Sequence, residues 1–166
     1  MKIAHLLSVA FLALVAPAWA ASLPAPSSTP ILVVSGEIGV TNVDGTAQFD
    51  RAMLEQMMDS SFETKTPWHD GPSLFEGISM TTLMDAVGAT GDMLTVTALN
   101  DYVTDIPVSD FEQFGTLLAL KRNGEFMSVR DKGPLFIIYP FDNSEELRSQ
   151  TYFGRSAWQV AKIAVK

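Results

Sequence analysis

The chain has no cysteine, and only two histidines among its 166 residues. The first absence excludes a disulfide framework, a thiolate nucleophile and thiolate ligation of a metal. The second leaves too few imidazoles for a histidine-rich metal centre, since His5 falls in what reads as an export signal and His69 is then alone. No G-x-x-x-x-G-K-[ST], G-x-G-x-x-G or G-x-S-x-G stretch occurs, so no phosphate loop, dinucleotide turn or serine-hydrolase elbow is indicated. Cations are scarce where most of the chain lies: residues 21–120 hold 2 basic and 14 acidic side chains. With a net charge of −8, the protein is not a nucleic-acid binder, which needs a basic surface. Its stability must come from packing.

What is present begins with a three-part secretory signal. Lys2 supplies the positive start, Ile3 to Val15 the apolar stretch, and Ala18-Trp19-Ala20 the small-residue cleavage site. Cleavage near Ala20 implies a periplasmic or secreted protein. It leaves 146 of the 166 residues, enough for one domain with a sizeable core. Residues 21–30, with Pro24, Pro26, Ser27, Ser28, Thr29 and Pro30, read as a flexible leader. The domain is expected over 31–166.

Strand signals dominate that domain. They run over Ile31–Val40, Ser60–Thr66, Leu94–Leu99, Tyr102–Ile106, Thr116–Lys121, Phe126–Val129, Leu135–Tyr139 and Val160–Val165. Asn42–Gly45 and Asn123-Gly124 read as turns. Short helices are expected after the capping residues Asp50, Ser79 and Ser109, and after Asn143 or Ser144 through Arg148. Gly71 and Pro72 read as a loop, with a short bridge over Phe75–Ile78. The class is α+β, mostly β.

Three polar clusters sit at strand ends, where loops present side chains. The first holds Thr64, Lys65, Thr66, Trp68, His69 and Asp70; the second Asn100, Asp101 and Tyr102; the third Arg130, Asp131, Lys132 and Gly133, with Tyr152 and Arg155 near by in function. Neighbours in sequence rarely face one another, so His69 and Asp70 are not read as an acid–base pair. No residue is assigned a catalytic role and none a metal.

From about Phe62 onward the chain resembles the sulfite-oxidase-like, molybdopterin-binding oxidoreductase domain. Trp68 and the Phe75–Met80 segment FEGISM are similar to that family's W-x-G-v-p-L helix entrance, and LMDAVGA to its L-L-x-x-a-G helix end. LTVTALNDY, LLALKRNGE, KGPLFIIYP and the Arg155–Val165 segment resemble its later motifs in order. The resemblance implies a single domain with a cleft for a molybdopterin, although no cofactor follows from the residues themselves. It also places Thr64 where catalytic members carry the cysteine that ligates molybdenum. A threonine hydroxyl is a poor substitute for a thiolate. Phe136 and Ala157 stand where the family carries an Arg and a Lys.

The sequence therefore favours an exported small-ligand-binding protein on this fold, without redox turnover. Thr64, Trp68, Asn100, Asp101, Tyr102, Arg130, Lys132, Tyr152 and Arg155 are its expected pocket rim, and a small anionic or pterin-like molecule its expected ligand. Two alternatives stand beside it: a periplasmic molybdenum oxidoreductase lacking the thiolate, and a partner of a membrane sensor, transporter or redox protein. N-terminal sequencing of protein recovered from an exporting host should read from Ala21; a start at Met1 would remove the export signal from this account.

Overall fold

The computed structural model describes residues Leu23–Lys166, so the expected export signal lies outside the described residues. Ten strands and four short helices follow in chain order: β1 Leu32–Gly36, β2 Ala47–Phe49, α1 Arg51–Gln56, β3 Ser60–Thr66, β4 His69–Ser79, α2 Met80–Val87, β5 Met93–Ala98, β6 Val103–Pro107, α3 Ser109–Phe114, β7 Leu117–Arg122, β8 Glu125–Phe126, β9 Phe136–Ile138, α4 Gln150–Arg155 and β10 Val160–Val165. They make two sheets. One has the order β2-β1-β10-β5-β6, in which β1 and β10 run parallel and the other pairs antiparallel. The other has the order β3-β4-β7-β8, with β9 also on β7.

Alternating burial explains the first sheet. Leu32 and Val34 of β1 and Leu94, Val96 and Ala98 of β5 point inward at every second position. In the second sheet β7 begins with four consecutive buried residues, Leu117–Leu120, and β9 is buried throughout. Both sheets feed one continuous hydrophobic cluster, which also takes Leu83, Met84 and Val87 from α2. The sheets meet near β9. Phe136 bridges to Trp158, the Ile137 N–H donates to the Ala157 carbonyl at 2.9 Å, and the Val160 N–H to the Leu135 carbonyl at 3.0 Å.

Helix α2 follows its sequence signals. The Ser79 hydroxyl accepts from the Thr82 N–H at 3.1 Å, and Gly88 closes the helix in the left-handed conformation, φ 59°. Elsewhere the structure corrects the expectations. The Gly71-Pro72 stretch is not a loop, because β4 runs unbroken for 11 residues. Pro72 is tolerated there because β4 pairs only with β3 at that level; its pairing with β7 starts at Phe75. Gly77 sits at a bulge where a Cβ would collide with the Leu118 carbonyl oxygen. Ser109 lies inside α3 and makes no cap bond. Residues 145–148 form a turn, and the helix of this region is α4.

Asp50 ties the segment before β1 to the domain. Its Oδ1 accepts from the Met53 N–H at 3.0 Å and caps α1, while its Oδ2 accepts from Ser27 N at 2.8 Å and Ser28 N at 3.0 Å. The Met53 bond is the main cause that lowers the carboxyl to about 2; burial opposes it and the two serines add to it. A lowered folded value contributes stability that is present above the unfolded range and lost on acidification. Asp50→Asn should lower the Tm at neutral pH. It should also flatten the fall in stability between roughly pH 4 and 2, the window between unfolded and folded carboxyl values. Thermal melts across that range check both.

Candidate functional site

Strands β3 and β4 form a hairpin whose tip is Pro67-Trp68, with Thr66 opposite His69. The Thr66 hydroxyl closes this tip. It accepts from the Trp68 N–H at 3.3 Å and lies 2.9 Å from His69 Nδ1. Asp70 and Gly71 are extra residues on the β4 side, and Gly71 takes φ 69°, a conformation glycine adopts freely. The bulge turns the tip so that Trp68 packs among aromatic rings. Its centroid lies 5.4 Å from Trp158, 5.7 Å from Phe136, and 6.0 Å from both Phe141 and Phe153, in tilted or edge-on contacts.

Beside this cluster opens a cavity of about 300 Å³. Trp68 lines it together with Asn100 and Tyr102 from the β5–β6 turn, Gln150, Phe153 and Gly154 from α4, and Ser156 and Trp158 from the approach to β10. Tyr102 holds two of these walls together, its hydroxyl donating to the Gly154 carbonyl at 2.7 Å. Asn100 Oδ1 accepts from the Tyr102 N–H at 3.2 Å. Every lining side chain is uncharged, and four are aromatic.

Of the nine expected rim residues, the structure thus brings together Trp68, Asn100 and Tyr102. Lys132 is a neighbour rather than a lining residue: its Nζ lies 4.3 Å from the Trp158 ring centroid. Asp101 stands exposed in a left-handed turn position, φ 63°, and Arg130 is exposed on the short turn Val129–Asp131. The remaining three are corrections. Thr64 is buried, and its hydroxyl accepts from the Asp142 N–H at 3.1 Å and donates to the Lys65 carbonyl at 3.3 Å. Tyr152 is buried, its ring 5.1 Å from Phe114 and its hydroxyl donating to Glu146 Oε1 at 3.0 Å. Burial first, and then this acceptor, hold its hydroxyl above the usual phenol range.

Arg155 points to Asp110 instead of the cavity. Its Nη1 donates to Asp110 Oδ2 at 2.9 Å, and the Tyr139 hydroxyl donates to the same oxygen at 2.7 Å. Asp110 is only 4% exposed. Burial and the Asp110 acceptor keep Tyr139 strongly in its neutral form. Truncating one member of such a buried pair costs about 3–5 kcal/mol, because the other charge is stranded; the partial exposure of Arg155 favours the lower end. Gln150, Phe153, Gly154, Ser156 and Trp158 were absent from the expected rim; Ser149 stands at the N-cap of α4, but a six-residue helix is too short for its pattern to announce it.

A scan against protein-family models finds no match for this chain, and no curated protein matches it either.

The arrangement suits binding. Trp68, Tyr102, Phe153 and Trp158 offer apolar ring surface, and the Asn100 Nδ2 and the Gln150 amide offer hydrogen bonds. It does not suit a molybdenum centre held by the protein. The position that the resemblance assigns to the metal ligand, Thr64, spends its hydroxyl on backbone partners, and no group of three His, Cys, Asp or Glu converges among the described residues. Charge gathers instead in a smaller cavity of about 240 Å³ across Phe153, lined by Lys65, Asp142 and Arg148 among others.

His69 supplies a measurable handle on the hairpin tip. Its Nε2 is buried without a hydrogen-bond partner among the described residues. Burial is the first cause that lowers its pKa, and the charges of Arg122 and Lys132 add to it against Asp131. The folded state therefore prefers neutral imidazole, and the unfolded chain binds a proton first as pH falls. Stability should decline as pH drops below roughly 6.5, the unfolded value. Chemical denaturation at pH 7.5 and 5.5 should show this decline in the parent and less of it in His69→Gln.

Proposed function

We propose that this chain is an exported ligand-binding domain, that its ligand occupies the cavity between Trp68, Tyr102, Phe153 and Trp158, and that it performs no redox turnover. The observation that carries this reading is the cavity's lining: aromatic rings and side-chain amides, without a charge. A planar heterocycle of low charge fits such a wall, stacking on rings and meeting Asn100 and Gln150 at its edge; a pterin ring is one such molecule. The resemblance of the sequence segments to the sulfite-oxidase-like domain, which binds its cofactor in a cleft, is in keeping with a binding role. The inward Thr64 hydroxyl speaks against a metal ligand from the protein. The expected anionic ligand has less support, since Arg155 is already paired with Asp110 and neither Arg130 nor Lys132 lines the cavity.

Sites of this kind enclose roughly 300–1,000 Å³, so a cavity of about 300 Å³ takes a ligand of one or two rings. Protein purified natively from a molybdenum-replete host should contain no stoichiometric molybdenum by mass spectrometry. Thermal melts with pterins, purines and flavin fragments should raise the Tm in a saturable way for one class, as expected for a ligand that binds only the folded state. Tyr102→Ala should weaken that response at least tenfold, since it removes a ring and releases the Gly154 wall. An unchanged Tm across all three classes, or stoichiometric molybdenum, would overturn the reading.

A further inference from the structure

A second and larger cavity, about 530 Å³, lies on the other side of the β5–β6 turn and shares no lining residue with the first. Eight of its eleven lining residues are apolar, among them Ile31, Val33, Leu99, Met127 and Val129. Two of these are well exposed for their type, Leu99 at 55% and Val129 at 51%. Phe126, 41% exposed, lies beyond it under the Arg51 guanidinium at 5.0 Å. An apolar wall left open in this way marks a binding surface.

The wall is held in place by Gln159. This residue adopts a left-handed conformation, φ 56°. Its carbonyl accepts from the Leu99 N–H at 2.9 Å, its side-chain Nε2 donates to the Val129 carbonyl at 2.8 Å, and its N–H donates to the Lys132 carbonyl at 3.1 Å. Leu99 and Val129 are thus fixed to one backbone strut, and the groove exists before anything enters it.

The other lining groups decide the ligand. Arg51 and Lys162 line the groove, and Ser128 adds a hydroxyl. Arg51 is one of only two cations over residues 21–120, in a protein of net charge −8. The ion pairs among the described residues are Arg122–Asp131 and Arg155–Asp110, so neither groove cation has a carboxylate partner there. We propose that this groove binds a long-chain fatty acid, with the alkyl chain along Leu99, Val129 and Met127 and the carboxylate at Arg51 and Lys162. The volume is that of one slender ligand, and a carboxylate would pair with cations that line the groove without a carboxylate partner among the described residues.

The test uses protein purified from the exporting host and titrated with a fluorescent long-chain fatty acid below its aggregation concentration. Equimolar, saturable binding displaced by palmitate is expected. The double variant Arg51→Gln/Lys162→Gln should weaken it by about tenfold or more, the scale of one lost charge-assisted bond. The corresponding fatty alcohol should bind parent and double variant alike. Leu99→Asp, at an exposed position, should also weaken fatty-acid binding while its circular-dichroism melt stays close to the parent's. Absence of saturable binding, or equal fatty-acid affinity in parent and double variant, would overturn the proposal. So would a dimer in sedimentation that Leu99→Asp dissolves, because the groove would then belong to a second copy.

Discussion

One carboxylate oxygen organises the region on which the aromatic cavity depends. Asp110 Oδ2 accepts from the Tyr139 hydroxyl, just past β9, and from the Arg155 guanidinium at the end of α4. A six-residue helix has little stability of its own, because its nucleation cost is spread over few bonds. The Asp110 contacts hold α4 against the body of the domain, and Gly154 of α4 then accepts from Tyr102. The cavity wall is therefore built outward from a buried ion pair. Arg155, one of the three cations expected at the pocket rim, is consumed in building it.

The hairpin tip supplies the opposite wall by a different economy. Polar closure at Thr66 and His69 fixes the turn, and edge-on ring contacts hold Trp68 between the tip and the approach to β10. Lys132 backs the same Trp158 ring, through a residue that is itself left-handed at φ 68°. Several non-glycine residues in that conformation, Asp101, Lys132 and Gln159, gather around the two cavities. Such positions are held only where surrounding bonds determine them, which is consistent with preformed rather than adaptable walls.

Much of the fold was legible in the residues. Strands β3 and β10 and helix α2 fall where the patterns place them, because alternation, the Ser79 cap and the Gly88 stop are local signals. The strand-rich class follows from the same patterns. The length of β4 was not legible: Gly71 and Pro72 break strands in general, and only the one-sided pairing at that level makes them harmless. For the site, Trp68, Asn100 and Tyr102 were found because turns announce themselves. Arg155 was misassigned because its partner, Asp110, lies 45 residues earlier, and nothing local in QTYFGR reveals either the helix or the pair. Thr64 was placed at the site by likeness of pattern, whereas burial inside β3 is a tertiary property.

The position of β10 has a consequence for the order of events in the life of the chain. It is the middle strand of the first sheet, with β1 on one side and β5 on the other. Until Val160–Val165 is free to insert, the five-stranded sheet is two separate hairpins with a gap between them. Two-stranded pieces of this size are marginal in water. A chain emerging from the ribosome thus keeps its main sheet open until the last of the described strands has been made, and a pairing so distant in sequence closes slowly. Under the export proposed above, late closure would leave a thread that a translocation channel can still pass.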